Sequence, residues 1–350
     1  DNGVALEEFD IRGYRVQRVR RSASVAFDYE INDNHTLFLS GMYNHRDDWE
    51  NRFRMRVSRL DDSFEDGDIT EVSPGNYLTK GRVEYQTKGG LDSDRNKAAR
   101  LEDQRVYNTT LGGSHLFNKL KMDWSATYAK ASEEKPFERY TSFRSSGQNV
   151  TVDVSNPDKP YAYLTDPADN LGIDLNAKLD FKLPYSPKGI LQFGLRYRGK
   201  NKERENNFYE YEPLDEEAFG ETIADFPNGN YSDPNFLVGS QYRAGTFITP
   251  EYLGGLDFNN AGLFEQSDIP EEYAPGNFTA KETITGGYVM ADHQISDKLS
   301  GIVGVRLEHT AIDYIGNIYD IDNEEISSAE GEQSYTNFMP GIHLKYNMNS

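Results

Sequence analysis

The feature that most constrains this chain is a strict alternation of apolar and polar residues, which recurs in several separate segments. In the clearest of them, every second residue from Leu171 to Leu183 is apolar, and the residues between are glycine or polar. A helix cannot place residues two apart on one face, whereas successive side chains of a β-strand point to opposite faces. The alternation therefore predicts strands with one apolar face and one polar face.

The same pattern predicts further strands along the chain. The alternation is clean over residues 120–128, 191–197 and 303–307, and weaker over 19–31, 37–43 and 107–111. Over 282–295 it is unclear which residues share the apolar face. A last strand is predicted from Tyr335 to Tyr346. The periodicity thus indicates about nine strands.

The connections between these strands alternate in length. Short turns with Asn, Asp, Gly or Pro lie at 32–34, 117–119, 185–189 and 296–298, and long polar segments lie near 54–100, 133–169, 206–281 and 315–334. This rhythm is typical of a transmembrane β-barrel, in which periplasmic turns are short and extracellular loops are long. We therefore expect all short turns at one end of an antiparallel meander and all long connections at the other. A soluble sheet with one wet face is the alternative, but compact domains rarely use such long connections.

Composition excludes several classes of protein. Cysteine is absent, which excludes disulfides and thiolate metal sites, and the net charge of -21 argues against nucleic acid as a partner. Hydrophobic residues are only 36%, a value also found in disordered chains, but 23 Tyr and 19 Phe favour alternating strands instead. No apolar run reaches the ~18 residues of a transmembrane helix. Because the chain begins at Asp1 without Met, we interpret it as a piece of a longer protein.

No motif for catalysis is present in the sequence, so we expect neither an enzyme nor a cofactor. The six histidines are scattered, and we predict no metal site. Two acidic clusters are candidates for calcium, but neither has the spacing of an EF-hand, so we interpret them as solvated loop charge. The clusters are Asp61, Asp62, Glu65, Asp66 and Asp68, and Asp320, Asp322, Glu324 and Glu325.

Five segments resemble the barrel domain of TonB-dependent outer-membrane receptors. They are Tyr29–Leu39, Arg46–Arg52, Leu111–Leu116, Gly304–Glu308 and Tyr335–Tyr346, of which the last is the most specific. The resemblance rests on order and spacing, and it spans nearly the whole chain except the long loops. It implies that residues 1–350 are part of a barrel of ~22 strands, without its plug domain, its energy-coupling box or its two ends. It also implies an outer-membrane location, in contact with the lipid bilayer and lipopolysaccharide.

The function that this resemblance implies is energised, TonB-coupled uptake of a scarce ligand. The ligand could be a siderophore, cobalamin, an oligosaccharide or a peptide, and no residue in the sequence chooses among them. The implied protein partners are the receptor's own plug domain and TonB. Two alternatives remain open: a passive porin-type channel, and a soluble secreted protein that binds carbohydrate.

Charged residues are predicted on the polar, lumen-facing side of the strands. They are Arg18, Arg20, Arg196, Arg198, Arg306 and Glu308. The arginines could bind an anionic ligand through paired hydrogen bonds. The stronger interpretation is that they form ion pairs with acidic residues of the same face and contact the plug.

The segment 206–281 is both acidic and aromatic, with 14 acidic against 2 basic residues and 14 Phe and Tyr in all. Exposed loop aromatics often form recognition surfaces, so we predict that they contact the ligand. The alternative is that they pack the long loop against itself. The candidates are Phe208, Tyr209, Tyr211, Tyr231, Phe236, Tyr242 and Tyr252.

Overall fold

The fold is that of a computed structural model, which describes residues 8–59, 70–73, 76–78, 81–147, 161–232 and 245–348. Sixteen strands lie in this part of the chain. They are β1 (Phe9–Asn32), β2 (His35–Ser58), β3 (Thr70–Ser73), β4 (Asn76–Leu78), β5 (Gly81–Gly90), β6 (Arg100–Phe117), β7 (Leu120–Glu134), β8 (Glu138–Gly147), β9 (Tyr161–Ser186), β10 (Gly189–Pro213), β11 (Asn228–Asn230), β12 (Thr246–Ile248), β13 (Phe264–Asp268), β14 (Phe278–Gln294), β15 (Leu299–Asp320) and β16 (Glu325–Tyr346).

In the described residues, helices are short and lie between Glu216 and Gly276. They are α1 (Glu216–Phe219), α2 (Pro250–Gly255) and α3 (Pro270–Tyr273), accompanied by 3₁₀ turns at Ile223–Asp225 and Ala274–Gly276. Within the described residues, no helix has the length and apolar character needed to cross a membrane.

Nine of the strands form a continuous antiparallel meander. Their order is β1-β2-β6-β7-β9-β10-β14-β15-β16, and each is hydrogen-bonded to the next. In the described part of the chain, β1 pairs only with β2 and β16 only with β15. Each of these two strands therefore has one edge without a partner strand in the described residues.

All short turns lie at one end of this meander, as predicted. The strand register shows it, because His35 lies opposite His115, Gly189 lies opposite both Ser186 and His293, and Leu299 lies opposite Tyr346. We call this the turn end of the sheet. Asn118 in the second turn has φ of 57°, a left-handed conformation that asparagine tolerates better than most residues.

Apolar residues of all nine strands share one face of the sheet. The register joins Tyr29, Leu37, Gly113, Trp124, Leu179, Leu195, Gly287, Leu307 and Phe338 into one row. Neighbouring rows carry Phe181, Phe193, Val289 and Val305 on the same face. We call these rows the apolar belt. Several of their side chains are uncovered by protein, such as Leu195, which is 64% exposed, and Phe338, which is 67% exposed; the others are partly exposed.

The predicted limits of the long loops are wrong, because the strands run well past the belt. The segment 54–100 contains the end of β2 and all of β5, and 133–169 contains β8 and the start of β9. The segment 206–281 holds the end of β10, and 315–334 is not a loop but two strands joined by a turn at 321–324. These projecting arms continue the ladder hydrogen bonds beyond the belt, and their apolar residues, such as Phe53, Met55 and Val57, alternate with charged ones only in short runs.

The sheet changes partners where it leaves the belt. Strand β2 pairs with β6 as far as Glu50 opposite Arg100, and then pairs with β5 from Arg52 opposite Lys88 onward. Strand β5 pairs with β8 on its other side, and β8 pairs with β9. Thus β5 and β8 continue the wall beyond the point where β6 and β7 end.

Candidate functional site

The predicted lumen-facing residues near the turn end lie together on the polar face of the sheet. The register places Arg196 between Lys178 and Gly286, and Gly286 in turn lies opposite Glu308. Arg198 and Arg306 point to the same face, two residues away along β10 and β15 respectively. Four of the six candidates therefore share a surface that crosses β9, β10, β14 and β15.

Arg18 and Arg20 share this face but not this surface. Both lie on β1, at the far edge of the sheet and farther from the turn end. Arg18 Nε lies 2.6 Å from Asp48 Oδ2, and Arg20 lies opposite Arg46. The structure thus divides the predicted set into two groups.

Ion pairing accounts for several of these charges. Arg198 Nε lies 3.7 Å from Asp174 Oδ1, and Arg306 Nη2 lies 2.6 Å from Glu308 Oε2. These pairs, like Arg18 with Asp48, favour internal ion pairing over capture of an anion by those arginines. Binding of a ligand by this surface remains a prediction.

A tyrosine–aspartate contact on the polar face was missed by the sequence analysis. Tyr288 Oη donates to Asp180 Oδ1 at 2.8 Å, and Lys178 Nζ lies 2.5 Å from the other carboxylate oxygen. The tyrosine reaches across Gly194, where an added Cβ would lie 2.5 Å from Asp180 Oδ1 and 2.6 Å from the Leu179 carbonyl oxygen. Glycine is therefore required at position 194 for this contact. Gly194 and Tyr288 lie far apart in the sequence, and only the register of β10 against β14 brings them together, so no local signal showed this contact.

Beyond the belt, the polar face carries a network of ion pairs on β2, β5 and β8. Glu84 is buried and bonded to both Arg54 and Arg144, whose Nε lies 2.9 Å from Glu84 Oε2. Burial alone would raise the pKa of Glu84, but the bonds from Arg144 and Arg54 together lower it below its ordinary value. The carboxylate is thus held in its charged form.

A second cluster of this network surrounds Glu138 at the start of β8. Lys88 Nζ lies 2.7 Å and Arg100 Nε 3.1 Å from its carboxylate oxygens, and Tyr140 donates a hydrogen bond to it. Burial lowers the pKa of Lys88, although Glu138 opposes the shift. Burial and the neighbouring Glu138 raise the pKa of Tyr140 well above its ordinary value. Buried charges of this kind need their partners, so the cluster fixes β5, β6 and β8 against one another.

The opposite face of these arms is covered by the segment between β10 and β13. We call its described residues, 214–232 and 245–263, the cap. Together with flanking strands it forms a hydrophobic core: Ile11, Phe53, Met55, Val57, Val83, Tyr85, Phe143, Tyr211 and Phe264 from strands of the large sheet, and Ile223, Phe226, Phe247, Ile248, Leu253 and Phe258 from the cap. Much of the segment predicted as a loop is therefore a packed layer.

Two polar contacts fasten the cap to the sheet. Thr87 Oγ1 donates to the carbonyl oxygen of Ile248 at 2.9 Å. The buried Arg139 donates to the carbonyl oxygens of Leu253, Gly254 and Leu256, at 3.2, 2.8 and 2.8 Å. These carbonyls lie at the carboxyl end of α2, where free acceptors and the helix dipole favour a cation. Arg139 thus closes the helix end and anchors it to β8.

Three of the seven predicted ligand-contacting aromatics belong to this packed layer. Tyr211 is 1% exposed and stacks on Phe258, with ring centroids 4.6 Å apart. Tyr231 stacks on Phe53 at 3.7 Å, and Tyr252 packs on Phe226 at 5.5 Å. These rings therefore pack within the protein, which agrees with the alternative interpretation that the aromatics of the segment 206–281 pack the long loop against itself.

The remaining candidates are less enclosed. Phe208 and Tyr209 are partly exposed, and Tyr209 also packs against the core. Phe236 and Tyr242 lie outside the described residues. Contact with a ligand stays a prediction for all of these aromatics, but Tyr211 has no free surface to offer.

The acidic cluster at 320–325 forms the turn of the β15–β16 hairpin. Asp320 Oδ1 accepts from the backbone of Asp322 at 3.0 Å, and Asp320 Oδ2 accepts from Asn323 Nδ2 at 2.8 Å. These bonds lower the pKa of Asp320. The cluster has the geometry of a turn closed by an aspartate side chain. The acidic cluster at 61–68 lies outside the described residues.

Antiparallel strands with an uncovered apolar belt on one face, polar residues on the other and short turns at one end define the class of this protein. It is the wall of an outer-membrane β-barrel. The family described as "TonB dependent receptor-like, beta-barrel" matches residues 120–350, and the chain belongs to this family. The predicted fold class and the resemblance seen in the sequence are thereby confirmed.

Solved structures of outer-membrane receptors are similar to the chain at low identity. They include the ferric yersiniabactin uptake receptor FyuA from Yersinia pestis (8% identity, TM-score 0.42, covering 97% of this chain and 44% of that one). The FrpB iron transporter from Neisseria meningitidis has 12% identity and a TM-score of 0.36, and the match covers 99% of this chain and 46% of that one. The ferric-catecholate import receptor Fiu from E. coli K12, in its open form, has 10% identity and a TM-score of 0.39, and the match covers 98% of this chain and 52% of that one. The chain therefore spans about half the length of these structures. No curated protein matches the sequence.

Proposed function

We propose that this chain is part of the wall of an outer-membrane receptor that takes up a scarce ligand by energised, TonB-coupled transport. The observation that carries the proposal is the nine-strand wall with an apolar belt on one face and ion-paired charges on the other. Membership of the receptor barrel family supports the same role. In this role the chain performs no chemistry on its ligand.

The two faces of the wall have different proposed partners. The apolar belt faces the bilayer and, in the outer leaflet, lipopolysaccharide. The polar face, with Arg196, Arg198 and Glu308, faces the lumen and the receptor's plug domain, which in turn engages TonB. Charged residues that are already paired can contact a plug without leaving a charge unsatisfied when the plug moves.

The cap lies at the extracellular end in this proposal, because it is opposite to the short turns. The partly exposed rings of Phe208 and Tyr209, at successive positions of β10 near the cap, are the residues proposed to contact the ligand first. The charge of the region selects no class of cargo. The segment 206–281 is strongly acidic, whereas the neighbouring arm of β2 carries Arg52, Arg54 and Arg56, of which Arg54 is paired with Glu84. A siderophore, cobalamin, an oligosaccharide and a peptide all remain candidates.

The test uses the full-length receptor in cells that lack their own copy. Uptake of labelled iron–siderophore complexes, cobalamin, oligosaccharides and peptides is measured with and without a protonophore. We expect uptake of one cargo that is abolished when the proton-motive force is removed. Uptake that persists in de-energised cells would instead support a passive channel. Extraction of the protein without detergent would support the soluble alternative.

The role of Phe208 and Tyr209 on β10 is tested by point variants, because deleting the cap would uncover Phe53 and Tyr85 of the core. Phe208→Ala and Tyr209→Ala are expected to weaken binding of the identified cargo to cells. Tyr273→Phe is the matched control, since it removes only a hydroxyl group bonded to Asp268. Equal binding by all three variants and the wild type would remove these aromatics from recognition.

A further inference from the structure

Two aspartates lie directly opposite each other on neighbouring strands, just beyond the apolar belt. Asp47 of β2 faces Asp103 of β6, four register positions past the pair of Tyr43 and Tyr107. Both residues are more than nine-tenths buried, with 7% and 4% of their surface exposed. Like charges directly opposite in a sheet are destabilising, and burial strengthens their repulsion. Such a pair needs positive charge or donors between the two carboxylates.

A histidine nitrogen occupies that position. His45 Nε2 lies 3.0 Å from Asp47 Oδ1 and 3.0 Å from Asp103 Oδ1. One ligand atom from each of the three residues lies within 4.8 Å of the others. An N–H group at Nε2 carries one proton, which can point at only one carboxylate at a time. A metal ion could bond to all three groups at once.

Arginines hold the carboxylates from outside. Arg21 Nη1 lies 2.6 Å from Asp47 Oδ2, and Arg105 Nη2 lies 2.7 Å from Asp103 Oδ2. Arg105 Nε also donates to Asp103 Oδ1 at 3.0 Å, and Arg95 Nη2 lies 3.4 Å from Asp103 Oδ2. Outer partners of this kind orient metal-binding carboxylates. They also neutralise them, so the affinity for a cation is expected to be moderate rather than tight.

We propose that His45, Asp47 and Asp103 form a site for one divalent cation of the zinc type. Zinc bonds to nitrogen and oxygen are ~2.0–2.2 Å long, which puts neighbouring ligands of a tetrahedral ion ~3.4 Å apart. The observed nitrogen–oxygen separations of 3.0 Å are only slightly shorter. One imidazole and two carboxylates suit zinc better than magnesium or calcium, which prefer oxygen alone. Water would complete the coordination.

The location gives the ion a structural role. The site joins β2 to β6 a few residues before β2 exchanges β6 for β5 at Glu50 and Arg52. An ion bonded to both strands fixes the point where the wall changes partners. This inference concerns the arms of the barrel and does not depend on which ligand the receptor transports.

The experiment titrates ZnCl2 into tag-free, chelator-stripped full-length receptor in detergent, by calorimetry and by thermal unfolding. The wild type is expected to bind one more zinc ion than the His45→Gln variant, or to bind that ion at least tenfold more tightly. Zinc should raise the unfolding temperature of the wild type and not that of the variant. His309→Gln is the matched control, because His309 also lies on a strand but contacts Thr336 instead. It should behave as the wild type does.

Equal zinc binding and equal thermal shifts in the wild type and His45→Gln would overturn the proposal. If the variant does not fold, zinc X-ray absorption on the wild-type receptor loaded with one equivalent decides the question. A shell with one imidazole and oxygen ligands supports the site. A shell with no imidazole, or with more than one, overturns it.

Discussion

An arginine placed at Leu195 tests the assignment of the apolar belt to the bilayer. Leu195 lies on β10 in the central row of the belt, between Phe193 and Tyr197, and 64% of its surface is free of protein contact. Arginine on the lipid face of a barrel costs ~2–4 kcal/mol at the bilayer midplane. At ~1.4 kcal/mol for each factor of ten, Leu195→Arg should lower the folding equilibrium constant roughly 30- to 700-fold. Urea titration of the full-length receptor in lipid vesicles, followed by its heat-modifiable mobility on gels, measures the loss.

Two further arginine variants make this prediction specific. Leu175 is on the same face, but its row also contains Gly41, Thr109 and Gly199, which places it nearer the membrane surface. Arginine near an interface costs ~0–1 kcal/mol, so Leu175→Arg should be milder than a midplane substitution. Ser40→Arg adds the same charge to the polar face and should be nearly neutral. Equal losses for Leu195→Arg and Ser40→Arg would refute the assignment of the two faces.

Three further results are expected. Gly194→Ala should destabilise the receptor by ~1–3 kcal/mol in the same urea assay, because the added methyl group separates Tyr288 from the buried Asp180; wild-type stability would contradict this. Arg139→Met should expose the cap to limited proteolysis while leaving the belt folded, and an unchanged digestion pattern would show that the arginine does not anchor it. Because the folded pKa of Glu84 is depressed, its stabilisation is present above its ordinary pKa and is lost as pH falls through the lower folded value. Glu84→Gln should therefore flatten the acid limb of the stability profile, measured by thermal unfolding.

The belt could be predicted from the sequence because its strands have two different environments. Lipid on one side and polar residues on the other impose the alternation from Leu171 to Leu183, and turn residues such as Asn118 mark where each pair of strands reverses. Strand β14 departs from this pattern. Its belt face carries small residues such as Thr285 and Gly287, while its polar face carries Ile284 and Tyr288. Only the register against β10 and β15 assigns its faces.

The arms could not be predicted because their stability comes from distant partners. Phe53 and Tyr85 face a core supplied by the cap, and Glu84 faces arginines from two other strands. A short alternation is present, since arginines lie between Phe53, Met55 and Val57, but nothing local shows which layer covers either face. The same is true of His45, which looks isolated in the sequence and meets Asp103 only through the pairing of β2 with β6.

The bond between Thr87 and Ile248 has a consequence for the order of folding. Its two ends are separated by 161 residues, and the cap packs on residues of β2 and β5 that lie still earlier in the chain, such as Phe53 and Val83. Contacts between distant parts of a chain form slowly, because the entropy of closing the intervening loop is lost before the contact is gained. Neighbouring strands joined by short turns close only a small loop each time a pair forms. The cap, in contrast, must close one large loop to reach its position. The barrel wall should therefore assemble from its hairpins first, and its cap should be the last part to acquire native structure and the first to lose it.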